Sequence, residues 1–510
     1  MMVGGTITAD LRSAQASVAG SWRGVAERYW PAIMILVVAL AYRGVTFGNP
    51  TLDYDEQLYL VVGDRIWRGE LPYVDNWDRK PLGLFLFYAA VRALGGQGIV
   101  QYQVVAAICA GGTACLIWAM ARRVTDRFGA IAMALAYLFI LNPLHGAGGQ
   151  SSVLYNLLTA GAAYLAFRAN DTDEARRVVP MALAAMALMG VAIQFKYTPV
   201  VEGAFLGCWF LWRFHRVGMT RARIAATASA MVALALLPTV GAVGFYWSIG
   251  QLDAFVQANF VSVFQRNPFP PETRALQRQV IGVAAGPLLA VVPAAAVTWW
   301  RMRGSLAPGD ATLMIGWCVA ALIGFGMLGD VYDFYFITAA LPLLTLTAAV
   351  VRRGGLGVAT GLLLVLWPVL LSPPIPGSAQ RRQRAMDELA SVIKPHVGDR
   401  CLYVHDGPTI LYLLTGACSP TRIIYPDHLT NPTEAPALGV NALQETKRLL
   451  ATRPGAIVTA DRPVIPRVSR DTAREVQAAL ARDYRLAAQA QGDRVYSAYV
   501  LRPEAGGLRR

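Results

Sequence analysis

Residues 99–121, IVQYQVVAAICAGGTACLIWAMA, form an apolar run without a single charged residue. A helix of about 20 such residues is long enough to cross the hydrocarbon core of a bilayer. Ten further apolar runs flank it, at 30–47, 128–145, 151–168, 178–195, 198–214, 223–248, 279–300, 311–328, 332–351 and 355–372. The pattern predicts a polytopic α-helical membrane protein with about eleven spans.

The composition agrees with this prediction. The 510 residues are 55% hydrophobic and 15% charged, whereas soluble domains carry about 25% charged residues. Most of the formal net charge of +14 lies in short basic clusters between the apolar runs. Such clusters mark cytoplasmic loops of membrane proteins. We therefore expect membrane lipids, and no nucleic acid, among the partners of this chain.

The basic clusters also indicate a topology. A twelfth apolar stretch, 81–94, is short and contains Arg92. The basic connections between spans are 122–127, 213–223, 301–303 and 352–353. They share one side with the basic segment 1–28 only if 81–94 lies along the interface and does not cross. We therefore expect an uncleaved first helix, a cytoplasmic N-terminus and a multi-pass location in a bacterial cytoplasmic (inner) membrane.

This topology places the first outer loop 48–98, the outer loop 249–278 and everything after the last span outside the cytoplasm. Residues 373–510 have the composition of a soluble domain, which follows a transmembrane domain over 1–372. Its apolar β-type runs are 401–405, 422–425, 456–458 and 495–501, and its helical patterns are 380–393, 408–416, 440–452 and 470–484. This alternation predicts a small C-terminal α/β extracytoplasmic domain.

Two cysteines lie in that C-terminal region, Cys401 and Cys418. Outside the cytoplasm they could form a disulfide or remain free thiols. The other four cysteines lie inside apolar runs, where cysteine is typically a small packing residue. No cysteine and histidine spacing of the zinc-binding type is present.

The densest group of potentially reactive side chains follows the first span and contains Asp53, Asp55 and Glu56. Acidic residues favour the first turn of a helix, so a solvated helix start is the structural alternative. The loop continues, however, with Trp, Tyr, Asp, Arg and Lys residues through 67–83. A polar and aromatic loop at a membrane surface suits a substrate with a charged head and an apolar tail.

This loop carries a family resemblance. The Asp-Glu pair at 55–56, Gly-x-x-Pro-Tyr at 69–73 and Lys-Pro at 80–81 resemble the GT-C glycosyltransferases. The similarity is greatest to the bacterial branch near protein O-mannosyltransferases and the lipid A aminoarabinose transferase. It is specific over about 50–95 and looser beyond. It implies a GT-C-like fold with interfacial helices and a polyprenyl-phosphate-sugar donor, usually with inversion of the anomeric centre.

The resemblance places the catalytic base at Asp55, which would take the proton of the acceptor hydroxyl. We expect support from Glu56, Asp53 and Asp78. Relatives in the aminoarabinose branch usually have Glu where this chain has Arg79, which puts their metal site in doubt. Because Asp78 could substitute for that Glu, a divalent metal bound by Asp55, Glu56 and Asp78 remains possible.

Five residues are predicted to bind the donor phosphate: Lys80, Arg79, Lys196, Tyr335 and Arg266. A lipid monophosphate leaves readily, so cations that stabilise it matter more than a general acid. Lys80 matches the lysine of the family. Lys196 lies at the outer end of a span, where simple snorkelling is the alternative. Relatives usually have His-Tyr where this chain has Asp333-Phe334-Tyr335, and Arg266 could be an ordinary interfacial arginine.

Other functions are disfavoured by the sequence. A polytopic lipid or solute transporter would often show internal repeats, and none is present. A silent member that only binds lipid-linked sugar would not need both Asp55 and Lys80. At another outer helix end, His145 is expected to be hydrogen-bonded and not to be a ligand. The sequence thus predicts a membrane glycosyltransferase whose acceptor is a glycan, lipid or protein of the cell envelope.

Overall fold

The computed structural model describes residues 29–327, 329–464 and 468–503. Segment 1–28, on which the predicted N-terminal orientation rests, lies outside this range. The helices of the first part are α1 (Tyr29–Gly44), α2 (Tyr54–Ile66), α3 (Leu82–Arg92), α4 (Ile99–Ala121), α5 (Arg127–Ile140), α6 (Ser151–Ala169), α7 (Ala175–Ile193), α8 (Val200–Arg216), α9 (Arg221–Ser248), α10 (Leu252–Val256), α11 (Pro271–Met302), α12 (Asp310–Gly326), α13 (Phe336–Thr347) and α14 (Gly355–Leu371). All eleven predicted apolar runs form helices. The others, α2, α3 and α10, lie in the two predicted outer loops.

Within the described residues, 5 helices are long and apolar enough to cross a membrane: α4, α7, α9, α11 and the helical run Asp333–Val350 that contains α13. Helices α1, α5, α12 and α14 are apolar and shorter. Helix α3 has 11 residues and extends only about 16 Å, roughly half the thickness of the hydrocarbon core. This length supports an interfacial α3, while the number of spans remains a prediction.

Small residues let the helices of this part pack closely. A Cβ atom at Gly190 of α7 would lie 2.7 Å from the carbonyl oxygen of Ala235 in α9. Glycine at such positions allows two membrane helices to approach backbone to backbone. Helix α9 buries only Met231, Ala242 and Tyr246 fully, and a row of its large apolar side chains is exposed, as expected beside lipid: Val232, Leu236, Leu237 and Val240.

The C-terminal part contains a four-stranded sheet of order β1-β2-β4-β3. The strands are β1 (Leu402–Val404), β2 (Ala456–Ala460), β3 (Tyr484–Gln491) and β4 (Val495–Leu501), and the helices are α15 (Ser378–Ile393), α16 (Leu411–Thr415), α17 (Pro426–Thr430), α18 (Ala442–Ala451) and α19 (Arg470–Asp483). Strands β1 and β2 are parallel, and the other pairings are antiparallel. The predicted α/β class is confirmed. Its boundary at 373 remains a proposal.

Two details of the predicted domain are wrong. Residues 422–425 form a loop and not a strand, and the Arg422 carbonyl accepts a hydrogen bond from the Trp77 amide at 2.8 Å instead of pairing with the sheet. Strand β3 was not predicted, because its many small and polar residues give no clear apolar alternation. It forms by pairing with β4 across the turn at Gly492.

The loop at 422–425 is braced by a disulfide between Cys401 and Cys418, whose Cα atoms are 4.7 Å apart. The Leu402 amide donates a hydrogen bond to the Cys418 carbonyl at 3.0 Å. Further bonds join the C-terminal domain to both outer loops. The Ile410 amide donates to Gln57 at 3.3 Å, and the Asn267 amide donates to the Thr433 carbonyl at 3.0 Å. The domain therefore lies directly on the predicted site.

Candidate active site

Helix α2 begins where Asp53 caps it. The Asp53 carboxylate accepts a hydrogen bond from the Asp55 amide at 2.9 Å, which satisfies a free donor at the helix start. Asp55 and Glu56 therefore both lie in the first turn. Successive residues of a helix point about 100° apart, so these two carboxylates face different surroundings.

Lys80 is the cation that meets Asp55. Its Nζ atom lies 3.6 Å from Asp55 Oδ2 and 5.1 Å from the centroid of the Tyr59 ring. The Lys80 backbone is fixed at both ends: its amide donates to Asp78 Oδ1 at 2.7 Å, and its carbonyl accepts from the Tyr73 hydroxyl at 2.8 Å. Asp78 therefore supports the site by shaping the turn that presents Lys80.

The two oxygens of Asp55 have different partners. Oδ2 accepts hydrogen bonds from the Tyr59 hydroxyl at 3.0 Å and from Gln150 Nε2 at 3.2 Å. Oδ1 accepts one from the Tyr425 hydroxyl at 3.2 Å. Gln150 Nε2 also lies 3.3 Å from Asp53 Oδ1. Asp55 is thus held by its own helix, by the loop before α6 and by the C-terminal domain.

These partners determine the charge of the site. Burial alone would raise the pKa of Asp55, but the Lys80 charge and the hydrogen bonds from Gln150 and Tyr59 outweigh it and lower that pKa. Burial, followed by the charges of Glu56 and Asp55, raises the pKa of Asp53 well above its usual value. Asp55 is therefore the carboxylate that stays ionised and can accept a proton.

Glu56 faces away from Asp55. A Cβ atom at Gly148 would lie only 2.0 Å from Glu56 Oε2, so the carboxylate occupies the space that glycine leaves. Arg43 holds the same loop by donating to the carbonyls of Gly146 at 3.0 Å and Gly148 at 2.6 Å. Burial raises the pKa of Glu56 to about 7. Glu56 thus packs against the glycine-rich loop that leads to Gln150, and its supporting role in the site remains a prediction.

The next predicted pair, Lys196 and Tyr335, is in direct contact. Lys196 Nζ lies 3.3 Å from the centroid of the Tyr335 ring, and the lysine is only 8% exposed. Burial and the nearby charge of Lys80 lower the pKa of Lys196 well below its usual value. The side chain therefore does not snorkel toward water. Two residues before Tyr335, Asp333 bonds His145 Nδ1 at 2.5 Å, in line with a hydrogen-bonding role for this histidine.

Arg79 and Arg266 share one partner in the C-terminal domain. Glu434 forms an ion pair with each arginine through a different carboxylate oxygen. Arg79 Nη2 lies 2.5 Å from Oε2, and Arg266 Nη2 lies 2.7 Å from Oε1. Burial would raise the pKa of Glu434, but the two guanidinium groups outweigh it and hold that pKa at about 2. The structure thus places both predicted phosphate-binding arginines on an internal carboxylate.

The predicted metal ligands do not come together. Among the described residues, no group of three or more His, Cys, Asp or Glu side chains could hold a metal ion. Glu56 occupies the space beside Gly148, and Asp78 bonds the Lys80 amide. Asp55, Glu56 and Asp78 therefore do not fit a divalent metal as a set.

Four residues of the site were missed or passed over in the sequence: Tyr59, Gln150, Tyr425 and Glu434. Tyr59 lies four residues after Asp55, a spacing that brings side chains together on a helix and could have been recognised. Gln150 ends a polar outer turn and carried only a weak signal. Tyr425 is separated from Asp55 by 370 positions, so no local sequence pattern predicts their contact.

Comparisons with known proteins agree on the fold. Residues 79–241 match the family of dolichyl-phosphate-mannose-protein mannosyltransferases. The crystal structure of ArnT from Cupriavidus metallidurans bound to undecaprenyl phosphate has a TM-score of 0.61 at 14% identity, over 91% of this chain and 97% of that chain. The apo structure of the same protein has a TM-score of 0.60 at 15% identity, over 93% of this chain and 98% of that chain. No curated protein sequence is significantly similar to the chain.

A more distant similarity is to the archaeal oligosaccharyltransferase AglB from Archaeoglobus fulgidus in complex with an inhibitory peptide and a dolichol-phosphate. Its TM-score is 0.50 at 12% identity, over 85% of this chain and 70% of that chain. The chain therefore has a polytopic helical membrane fold like that of ArnT, and the prediction of a GT-C-like fold is confirmed. Within this class, it resembles ArnT over nearly the whole length of both chains.

Proposed function

We propose that the protein is a membrane glycosyltransferase that moves a sugar from a polyprenyl-phosphate donor to a hydroxyl acceptor of the cell envelope. The observation that carries this proposal is the Asp55–Lys80 pair, a carboxylate with a lowered pKa that lies 3.6 Å from a partly buried ammonium group. Such a transfer needs a base that takes the proton of the acceptor hydroxyl, and a nearby cation that stabilises the departing phosphate. The ArnT and AglB structures were solved with undecaprenyl phosphate and dolichol-phosphate, which supports a lipid-phosphate ligand.

The reaction is a single displacement. The acceptor oxygen forms a bond to the anomeric carbon while the bond from that carbon to the phosphate oxygen breaks. The bonding electrons leave with the lipid phosphate, and the acceptor proton passes to Asp55. Lys80 stabilises the charge that develops on the departing phosphate. The negative phosphate favours the charged form of Lys196, so this lysine also stabilises it, and Tyr335 packs against Lys196. One displacement inverts the anomeric configuration.

The proposed site lies on the extracytoplasmic face of a bacterial inner membrane. Its residues come from the first outer loop, the turn after α7 and the segment before α13, all of which share one face in the predicted topology. Arg266 and Arg79 lie beside this group on Glu434. Because the two arginines share the single negative charge of Glu434, this cluster adds one net positive charge beside the phosphate-binding lysines.

The proposal is tested by transfer from polyprenyl-phosphate mannose and related donors labelled in the sugar, with a cell-envelope extract as the acceptor source. Asp55→Asn should lower sugar transfer by about 10²–10⁴-fold, because the base is lost while the shape is kept. Asp75→Asn, in the exposed part of the same loop, is the matched control. Equal transfer by wild type and Asp55→Asn would show that the base is assigned wrongly. Lipid or solute flux in liposomes without transfer or hydrolysis would favour a transporter.

A further inference from the structure

The C-terminal domain reaches the proposed catalytic base through one side chain. The loop at 422–425 is bonded to the first outer loop through Trp77, and at its end the Tyr425 hydroxyl donates to Asp55 Oδ1 at 3.2 Å. The Tyr425 ring packs against His428, with centroids 4.9 Å apart. A residue of the soluble domain therefore touches the reacting group of the membrane domain.

The bonds around Asp55 leave its two oxygens unequal. Each carboxylate oxygen offers about two lone-pair sites. Oδ2 uses both for Tyr59 and Gln150 and also faces Lys80, whereas the hydrogen bonds of the described residues give Oδ1 a single donor, Tyr425. The second site of Oδ1 is the one able to receive a proton.

We propose that Tyr425 is a positioning residue that fixes Asp55 so that the acceptor proton arrives on Oδ1, beside the C-terminal domain. This inference rests on the proposed function. The acceptor O–H bond breaks, its electrons form the new glycosidic bond, and the proton takes the second lone pair of Oδ1. Tyr425 keeps its own proton throughout. Because Oδ1 faces the C-terminal domain, that domain forms part of the acceptor site.

The hydroxyl can be removed without altering the charges around Asp55. The charged and titratable groups that face Asp55 are Lys80 before α3, Tyr88 within α3, Lys196 after α7, and Asp53, Glu56 and Tyr59 at or within α2. Tyr425→Phe leaves all of them in place and keeps the aromatic packing on His428. Any change in the titration of Asp55 then reports the lost hydrogen bond.

The first test needs no substrate. Carbodiimide reacts with protonated carboxyl groups, so labelling of Asp55 against pH gives its pKa in the purified protein. Tandem mass spectrometry assigns the label to Asp55 and separates it from the label on Asp53 and Glu56. Tyr425→Phe should raise the labelling midpoint by about 0.5–1 pH unit, because the ionised Asp55 carboxylate loses the hydrogen bond from the Tyr425 hydroxyl. Tyr484→Phe, which removes a bond to the Pro454 carbonyl within the same domain, should leave it unchanged. Equal midpoints in wild type and Tyr425→Phe would overturn the inference.

The second test uses turnover. Tyr425→Phe should lower kcat for transfer about three- to tenfold and move the acidic limb of the pH profile upward. Binding of undecaprenyl phosphate should change little, because Tyr425→Phe leaves the phosphate-binding cations Lys80 and Lys196 in place. An unchanged pH profile would contradict the inference. Absence of transfer by the wild type from every donor would refute the proposed function, and the labelling midpoint would still decide whether Tyr425 positions Asp55.

Discussion

Arg266 in the outer loop 249–278 forms an ion pair with Glu434 of the C-terminal domain, with Nη2 2.7 Å from Oε1. The other oxygen of the same carboxylate receives Arg79 from the first outer loop at 2.5 Å. Three distant parts of the chain are therefore joined by one buried anion. A buried charge that loses its partner is costly, so this cluster makes the docking of the domain depend on charge.

The cluster predicts a dependence of stability on pH. Because the pKa of Glu434 is lowered to about 2, its stabilisation is complete above the ordinary carboxyl range and is lost as the pH falls toward 2. Glu434→Gln should lose about 3–5 kcal/mol at neutral pH, measured by thermal unfolding in detergent. The difference from wild type should shrink below about pH 4. Glu388→Gln, on the exposed face of α15, serves as the control. A difference that does not depend on pH would contradict the charge argument.

Lys80 should be needed for more than binding. Lys80→Met removes the cation beside Asp55, so we expect about a 10²–10³-fold lower kcat/KM for the donor. The acidic limb of the pH profile should also move upward, because the Lys80 charge lowers the pKa of Asp55. Lys80→Arg keeps the charge, so it should retain part of the kcat/KM and part of the wild-type position of the acidic limb. Loss of activity without any change in the pH profile would show that Lys80 does not act on Asp55.

The glycine-rich loop before α6 should tolerate no side chain at Gly148. A methyl group there would lie 2.0 Å from Glu56 Oε2, so Gly148→Ala should cost about 1–3 kcal/mol and move Gln150 away from Asp55. Thermal unfolding and transfer assays measure the two effects. Adding Glu56→Ala should restore part of the stability by making room. Gly282→Ala, where a Cβ meets no atom within 4 Å, is the neutral control.

The interfacial position of α3 can be tested by cysteine labelling in intact cells. Residue 97 is exposed just after α3, and residue 304 is exposed in the basic connection after α11. A membrane-impermeant maleimide should label Gln97→Cys directly and Gly304→Cys only after permeabilisation, with the wild type as background. Labelling of Gln97→Cys only after permeabilisation would mean that 81–94 crosses the membrane.

The sequence predicted the parts of the fold and site that depend on local patterns. Apolar runs define the helices because a bilayer demands long apolar segments, and Asp55 and Lys80 lie within one recognisable loop. The contact of Tyr425 with Asp55 depends on how two domains dock, which no periodicity encodes. Glu56 was predicted beside Asp55 because it is adjacent in sequence, yet adjacency on a helix separates side chains.

The disulfide between Cys401 and Cys418 braces the segment that leads to Tyr425. Such bonds form in oxidising compartments and are rare in the cytoplasm. A chain whose C-terminal domain has not yet been exported would lack this brace on the arm that reaches Asp55. In the proposed topology, export of the domain and completion of the active site are thereby linked, so the site becomes complete only on the side of the membrane proposed for the acceptors.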